Sequence, residues 1–223
     1  LSYGATIRAD QAAAGNTGTL GTQWVEGAFG RVTMGDVDGA DEWAVGDVDG
    51  VGLAGLGFHN EMTYQSVEHD LGWSYGAQGL TVGVSMDTSV TSGSNMAYGA
   101  SYTVAVEGVG VTAGVGKSDV GTASQTSMGV SATMAGLSAT VIHSADDNGT
   151  AADVDETALS VSYNMNALTA TVFQKDVATT GAADVNYQGV GIAYDLGGAT
   201  AKLGVMRDDA DLQTIDAGIS FSF

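Results

Sequence analysis

The charged residues of this sequence fall into two sets whose placement suggests an electric field more than a reaction centre. Asp36, Asp38, Asp41, Glu42, Asp47 and Asp49 crowd into one stretch, with Glu61 beyond them. Arg8, Arg31, Lys175 and Lys202 are dispersed, each in an alternating segment and mostly at the parity of Gly, Ser or Thr. Cations fixed along a wall and opposed by carboxylates on a loop would set a transverse field across a hydrated hole. Charged side chains at the narrowest point of such a hole decide which ions pass. Lys117 and Arg207 share parity with apolar residues and sit near segment ends, which suits anchors at a boundary between water and an apolar phase.

Other chemistry is harder to assemble. Gly35–Asp36–Val37–Asp38–Gly39 and Gly46–Asp47–Val48–Asp49–Gly50 form a small repeat with a calcium-loop flavour. An EF-hand needs a third ligand, a following Gly, a distant bidentate Glu and flanking helices, and these are missing. Loose calcium bridging among the acidic loops, at Asp146, Asp147, Asp153 and Asp155, needs only hard oxygen ligands and is the one cofactor-like expectation. His59, His69 and His143 are scattered. His143–Ser144 near Asp146 resembles a hydrolase set only in sequence, because neighbours on a strand point to opposite faces. No nucleophile, base and orienting group can be brought together, so an enzyme is not expected. There is no Cys, which removes thiol catalysis and disulfide frameworks. With 26 Asp and Glu against 6 Lys and Arg, the net charge of −20 would repel nucleic-acid phosphates.

The elements that must hold these residues are strands. Along Leu80–Asp87, Leu80, Val82, Val84 and Met86 alternate with Thr81, Gly83, Ser85 and Asp87. The segments around Tyr98–Val106, Met128–Met134, Leu159–Met165 and Val190–Leu196 repeat the pattern, and the chain ends with Ile215, Ala217, Ile219, Phe221 and Phe223 on one face. A strand sends successive side chains to opposite faces, so one face is apolar and the other is Gly, Ser and Thr. A dry core would want Leu, Ile and Phe on that second face; a wet lumen tolerates the small polar set. An aromatic last residue suits the rim of a closing barrel strand.

Short Gly-containing turns recur near Gly27–Gly30, Gly76–Gly79, Glu107–Gly110, Ala135–Leu137, Asn164–Leu168 and Gly197–Ala199. Longer polar loops lie between them, at Thr88–Asn95, Asp119–Gln125, Asp146–Asp155 and Asp176–Asn186. Short turns at one end and long loops at the other is the asymmetry of outer-membrane barrels. No apolar run is long enough for a transmembrane helix, but barrel strands hide their hydrophobicity in alternation. Fourteen strands are expected, starting near Leu1, Thr22, Gly30, Asp70, Leu80, Met96, Gly110, Thr126, Ser138, Glu156, Leu168, Tyr187, Thr200 and Thr214. One connection, Val37–His69, is much longer than the rest.

The stretch Trp24–Val25–Glu26–Gly27–Ala28–Phe29–Gly30–Arg31–Val32–Thr33–Met34–Gly35–Asp36 resembles the strand–turn–strand before the constriction loop of general porins from purple bacteria and their relatives. Leu1–Ala5, Tyr194–Ala199 and the terminal Gly218–Phe223 resemble other strands of that family. The resemblance implies one domain over residues 1–223, an all-β transmembrane antiparallel up-and-down barrel, with residues 37–69 folded inward as the constriction loop. General porins of this kind have sixteen strands with the long loop after the fifth. Here it follows the third, so two N-terminal strands are expected to precede the chain; a true fourteen-stranded barrel is the alternative. The resemblance also implies an outer-membrane channel, here weakly cation-preferring, for small hydrophilic solutes. It implies a homotrimer in the lipid bilayer, with Ala12–Gly21 reaching towards a neighbour. It assigns the pore constriction to Arg8, Arg31, Asp36, Asp38, Asp41, Glu42, Asp47, Asp49, Lys175 and Lys202, and barrel closure to Ile215, Ile219, Phe221 and Phe223. The rival readings are a substrate-specific channel and a secreted acidic calcium-binding β-adhesin.

Overall fold

The computed structural model describes residues 1–7, 20–53, 56, 60, 62, 69–89, 95–149 and 152–221. Fourteen strands make one antiparallel sheet in strict chain order, each bonded only to its sequence neighbours. They are β1 Ser2–Ile7, β2 Leu20–Gly27, β3 Gly30–Val37, β4 His69–Ala77, β5 Leu80–Met86, β6 Asn95–Val106 and β7 Val109–Val120. The second half comprises β8 Ala123–Met134, β9 Leu137–Asp147, β10 Val154–Met165, β11 Leu168–Thr179, β12 Val185–Asp195, β13 Ala199–Asp208 and β14 Gln213–Phe221. A single helix, α1 Ala40–Val45, lies between β3 and β4. Every strand begins within a few residues of its expected start, because two-residue periodicity is unambiguous when one face is apolar and the other small. β1 and β14 are the two edges of the sheet.

Three of the tight turns share one chemistry. Gln78, Glu107 and Ala135 take φ of 51, 50 and 48°, and each is followed by a Gly at φ 85°. Two consecutive positive φ values are the mirror-image turn whose twist matches that of the strands it joins. At the opposite end the connections are generally longer, with one exception. Asp119–Gln125 is not a loop, since β7 runs to Val120 and β8 restarts at Ala123. Polar composition suggests a loop there, but Gln125 is a strand residue of β8 on the inward face, buried to 1% exposure.

The two faces of the sheet differ as alternation requires. Val115, Met128, Val130, Val172, Val190, Ile192, Leu203 and Ile215 stand exposed on one face. Near the short-turn end of that face, Phe29, Tyr75, Tyr102, Tyr163, Tyr194 and Phe221 are also exposed. In water this would be an aggregation surface; in a bilayer it is the apolar band with its aromatic girdle. Trp73 joins that girdle. It stacks on Tyr75 at 6.4 Å and donates its Nε1–H to the Phe29 carbonyl at 2.9 Å.

The other face is where the long β3–β4 connection lies. A bulge between Met34 and Val37, with Gly35 at φ 106°, breaks the β3–β4 register. Bulges bend a strand and re-aim the chain beyond them, and here the chain next packs back on the sheet. α1 contacts β5, β6, β7 and β8. Further on, Val48 is buried with Ile142 of β9 and Ala158 of β10, and Val51 and Leu56 with Phe173 of β11 and Met206 of β13. Gly52 reaches Asp216 of β14.

That path is marked by inward glycines. A methyl at Gly99 would overlap the Ala40 carbonyl, and one at Gly114 the Ala44 carbonyl. Gly116 faces Asp41, Gly129 faces Val45, and Gly72 and Gly83 lie under the Trp43 ring. Gly191 meets Val51, Gly204 meets Gly52, and Gly218 meets Leu53. So the small inner face has two uses. Its Ser and Thr meet polar groups, and its Gly let another segment lie directly on the wall.

Candidate functional site

The inward segment is held to the wall by hydrogen bonds as well as by valines. The Ala40 N–H donates to Ser85 Oγ at 2.8 Å, and Ser85 Oγ lies 2.7 Å from His69 Nδ1. Further along, the Asp49 N–H donates to Ser160 Oγ at 2.9 Å, and Ser162 Oγ donates to Asp49 Oδ2 at 2.6 Å. Strand serines thus satisfy polar groups that burial would otherwise leave costly.

The Gly-Asp-Val-Asp-Gly repeat brackets α1. Gly39 is its N-cap, and Gly46, at φ 72°, its C-cap. In each copy the Val is buried, Val37 to 3% and Val48 to 2%, while both Asp residues are exposed. The repeat therefore anchors to the wall through its valines and leaves its Asp side chains partly in water, Asp49 also accepting from Ser162 of β10. Asp36 and Asp38 flank Val37, and Asp47 and Asp49 flank Val48. The Met62 N–H donates to Asp47 Oδ1 at 3.2 Å. Although its side chain touches water, Asp47 lies deep among protein atoms. That desolvation raises its carboxyl above the ordinary 3.8, against the opposing pull of the Met62 N–H and the Lys175 charge.

Asp41 and Glu42 differ from this group. α1 turns Asp41 against Gly116 of β7 with only 1% exposure, facing the wall and not the lumen. Glu42 is half-buried in the same helix, and its carbonyl accepts the Gly46 N–H at 2.8 Å. A short helix inside a loop was not legible from the sequence, so these two were grouped with the exposed acids.

The basic residues also separate. Lys175 has the expected inward parity, but it is 5% exposed and forms an ion pair with Glu156 of β10 at 3.0 Å. It neutralises the wall instead of lining open water. Glu156 was missed as its partner because strand register, not sequence spacing, brings the two together. Lys202 lies half-buried on the inward face of β13, at the parity of Gly204. Arg31 is half-buried on β3, with its guanidinium carbon 4.4 Å from the centroid of Trp24. Trp24 lies on β2. It faces inward over Gly4 and serves as the platform for Arg31. Arg31, Thr22, Thr33, Ser74, Asp36, Asp38 and Trp43 border a cleft of 260 Å³.

Arg8 and Phe223 lie outside the described residues, as do Glu61, His59 and most of Ala12–Gly21. Ile215, Ile219 and Phe221 are exposed on the apolar face of β14. Lys117 pairs with Asp119 at 3.2 Å and Arg207 with Asp211 at 3.8 Å, both bases more than half exposed at the long-loop end. The acids of the β9–β10 connection diverge. Asp146 turns inward to accept from Gln125 Nε2, whereas Asp147 accepts the Gly149 N–H and Asp153 the Asn148 N–H. Among the described residues, no three His, Asp or Glu side chains gather around a point that could hold a metal.

Residues 1–213 match the family described as Gram-negative porin. A curated porin of Rhodobacter capsulatus is 32% identical over 119 residues, which is 46% of this chain and 40% of that protein. The alignment thus spans well under half of that relative. Among solved structures, a porin refined at 1.8 Å superposes with a TM-score of 0.75 at 24% identity, over 92% of this chain and 81% of that one. A mutant of Rh. blastica porin superposes with a TM-score of 0.71 at 19% identity, over 99% and 88%. OmpT, an outer membrane protein of Vibrio cholerae solved in a trimer form, reaches 0.62 at 16% identity, over 92% and 77%. A sheet in strict up-and-down order, an apolar girdled face and a long connection laid along the opposite face are what that family builds, and the chain belongs to the Gram-negative porins, β-barrel proteins of the bacterial outer membrane.

Proposed function

We propose that the protein forms a water-filled channel through which small hydrophilic solutes and ions diffuse passively, with a weak preference for cations. Three copies assemble side by side in the bilayer. In this reading Val37–His69 is the constriction loop, and the sign of selectivity comes from the carboxylates it carries. One observation carries the reading: Asp36, Asp38, Asp47 and Asp49, in or beside that loop, are all exposed, while Lys175 is cancelled by Glu156. Arg31 and Lys202 oppose them, but among the described residues four exposed acids outweigh two half-buried bases. A negative mouth concentrates cations, and the effect weakens with salt because the Debye length falls to about 3 Å at 1 M.

Planar-bilayer recording tests this. Purified protein should give stepwise conductance increments, and a salt gradient should give a modest reversal potential of cationic sign. On an unheated gel it should migrate as a trimer. Absence of conductance, or a reversal potential of anionic sign, would refute the reading; monomers at every concentration in mild detergent would refute the assembly.

A further inference from the structure

The aromatic girdle lies at the short-turn end of the bilayer-facing side. At the long-loop end of β10–β14 that side is built from three levels, fixed by strand pairing without a register shift. The lowest is Val161, Val172, Val190 and Val205, each the Cα partner of the next. Two residues further along every strand stand Leu159, Gln174, Gln188, Arg207 and Gln213, again successive partners. The third level holds Thr157, Asp176 and Asn186. The Asn186 N–H donates to Asp209 Oδ2 at 2.6 Å and so brings Asp209 to the same level. Residues two apart on one strand face are separated by about 7 Å, so one headgroup can touch both upper levels.

The first two levels line a groove of 450 Å³. An apolar floor with a few polar groups to one side is how ligand pockets are built. The valines suit an acyl chain. The polar level needs a polar occupant, because an amide facing hydrocarbon is costly without a hydrogen-bond partner. Gln174 donates to Asp176 Oδ2 at 3.2 Å, whereas the Gln188 and Gln213 side chains have no partner among the described residues. Arg207 has only Asp211 there, 3.8 Å away with both side chains in water. Such a surface pair is weak, so the guanidinium keeps donors for a phosphate. Directly above, Asp155, Asp176, Asp184 and Asp209 border a second cleft. All four are exposed, and such donors as reach them are amides. Among the described residues none of the four forms an ion pair.

Towards the long loops the order is therefore apolar, cationic, anionic. A phospholipid with a terminal amine has the complementary order of acyl chain, phosphate and ammonium. A phosphate without an amine would meet Arg207 but leave the four carboxylates uncompensated beside it. We propose that this part of the outer wall is a binding site for an amine-bearing phospholipid. Its chain lies on the valines, its phosphate at Arg207, Gln188 and Gln213, and its ammonium at the four aspartates. The site depends on the barrel's place in a bilayer and goes beyond the channel reading, since it faces away from the lumen.

The probes are phosphatidylethanolamine, phosphatidylglycerol and diacylglycerol with identical chains, and lipid A as a phosphorylated glycolipid. Each is titrated into the detergent-solubilised protein, and bound lipid per chain is counted by native mass spectrometry. Phosphatidylethanolamine should half-saturate the protein at a concentration about tenfold below phosphatidylglycerol, which keeps the phosphate but loses one charge-assisted contact. Lipid A should bind no better than phosphatidylglycerol, and diacylglycerol worst. Asp155→Asn/Asp176→Asn/Asp209→Asn should erase the difference between the two phospholipids. Arg207→Gln should erase most of the advantage of phosphatidylglycerol over diacylglycerol. Equal retention of all four probes would mean ordinary solvation of an apolar wall. That result, a preference for lipid A, no retention of phosphatidylethanolamine, or an advantage that survives the triple variant would each overturn the site. Conductance does not enter the readout: a protein that binds phosphatidylethanolamine selectively but conducts nothing would overturn the channel reading and leave the site standing.

Discussion

A buried Lys175–Glu156 pair and an exposed row of loop aspartates are both ordinary charges in the sequence; environment gives them different work. With side chains 7% and 6% exposed and 3.0 Å apart, Lys175 and Glu156 each depend on the other for compensation. Removing one partner of a buried pair costs about 3–5 kcal/mol, because it strands the other charge. Glu156→Gln should therefore lower the urea midpoint markedly, and adding Lys175→Met should recover much of the loss. A single substitution as mild as the double one would mean the pair is not buried as described. Asp47 supplies a pH dependence. Its folded value lies above the ordinary 3.8, so it takes up a proton at a higher pH than an unperturbed Asp side chain. Cation preference should begin to fall as pH drops from neutrality towards that raised value. For stability the sign is opposite: the cost of holding Asp47 charged is present at neutral pH and is relieved as pH falls through its folded value, so stability rises where cation preference falls. Asp47→Asn should remove this early part of the profile, which reversal potentials measured across a pH series would show.

Between β3 and β4 the chain lies on a track of glycines, and in the proposed channel this is the element on which function turns. Gly99 and Gly114 have backbone carbonyls of α1 where a side chain would begin. Valine at either should lift α1 from β6 and β7, since overpacking a closed contact costs about 1–3 kcal/mol. Protease sensitivity within 37–69 should rise, and conductance should change, while the strands persist by circular dichroism. Unaltered proteolysis would contradict the seating. Strand positions were legible because a lipid-facing wall forces strict alternation, and Leu80–Met86 or Leu159–Met165 admit no other reading. The loop's inward path was expected only through resemblance. Its local signals were weak: α1 is six residues with no side-chain cap, and the glycines of the track lie on many different strands. The same limit hid the burial of Asp41 and of Lys175. Parity places a side chain on a face, but whether that face meets water or another segment is decided by contacts far away in sequence. The sequence places Asp119–Gln125 in a loop, because polar residues such as Gln125 on a wall covered from inside look like solvent-exposed ones.

Across the whole molecule, the apolar face and the charge distribution act at different ranges. The exposed belt from Val115 to Ile215 fixes the protein in a bilayer, and in the proposed channel the −20 charge sets the field that ions meet. The central claim is that the exposed aspartates of the β3–β4 segment determine the sign of selectivity. The most direct test is the reversal potential across a fixed salt gradient, for the protein and for Asp36→Asn/Asp38→Asn/Asp47→Asn/Asp49→Asn. The protein should show a cationic reversal potential that shrinks with ionic strength, and the fourfold variant should move to zero or to the anionic side. A reversal potential that is the same in both would contradict the account.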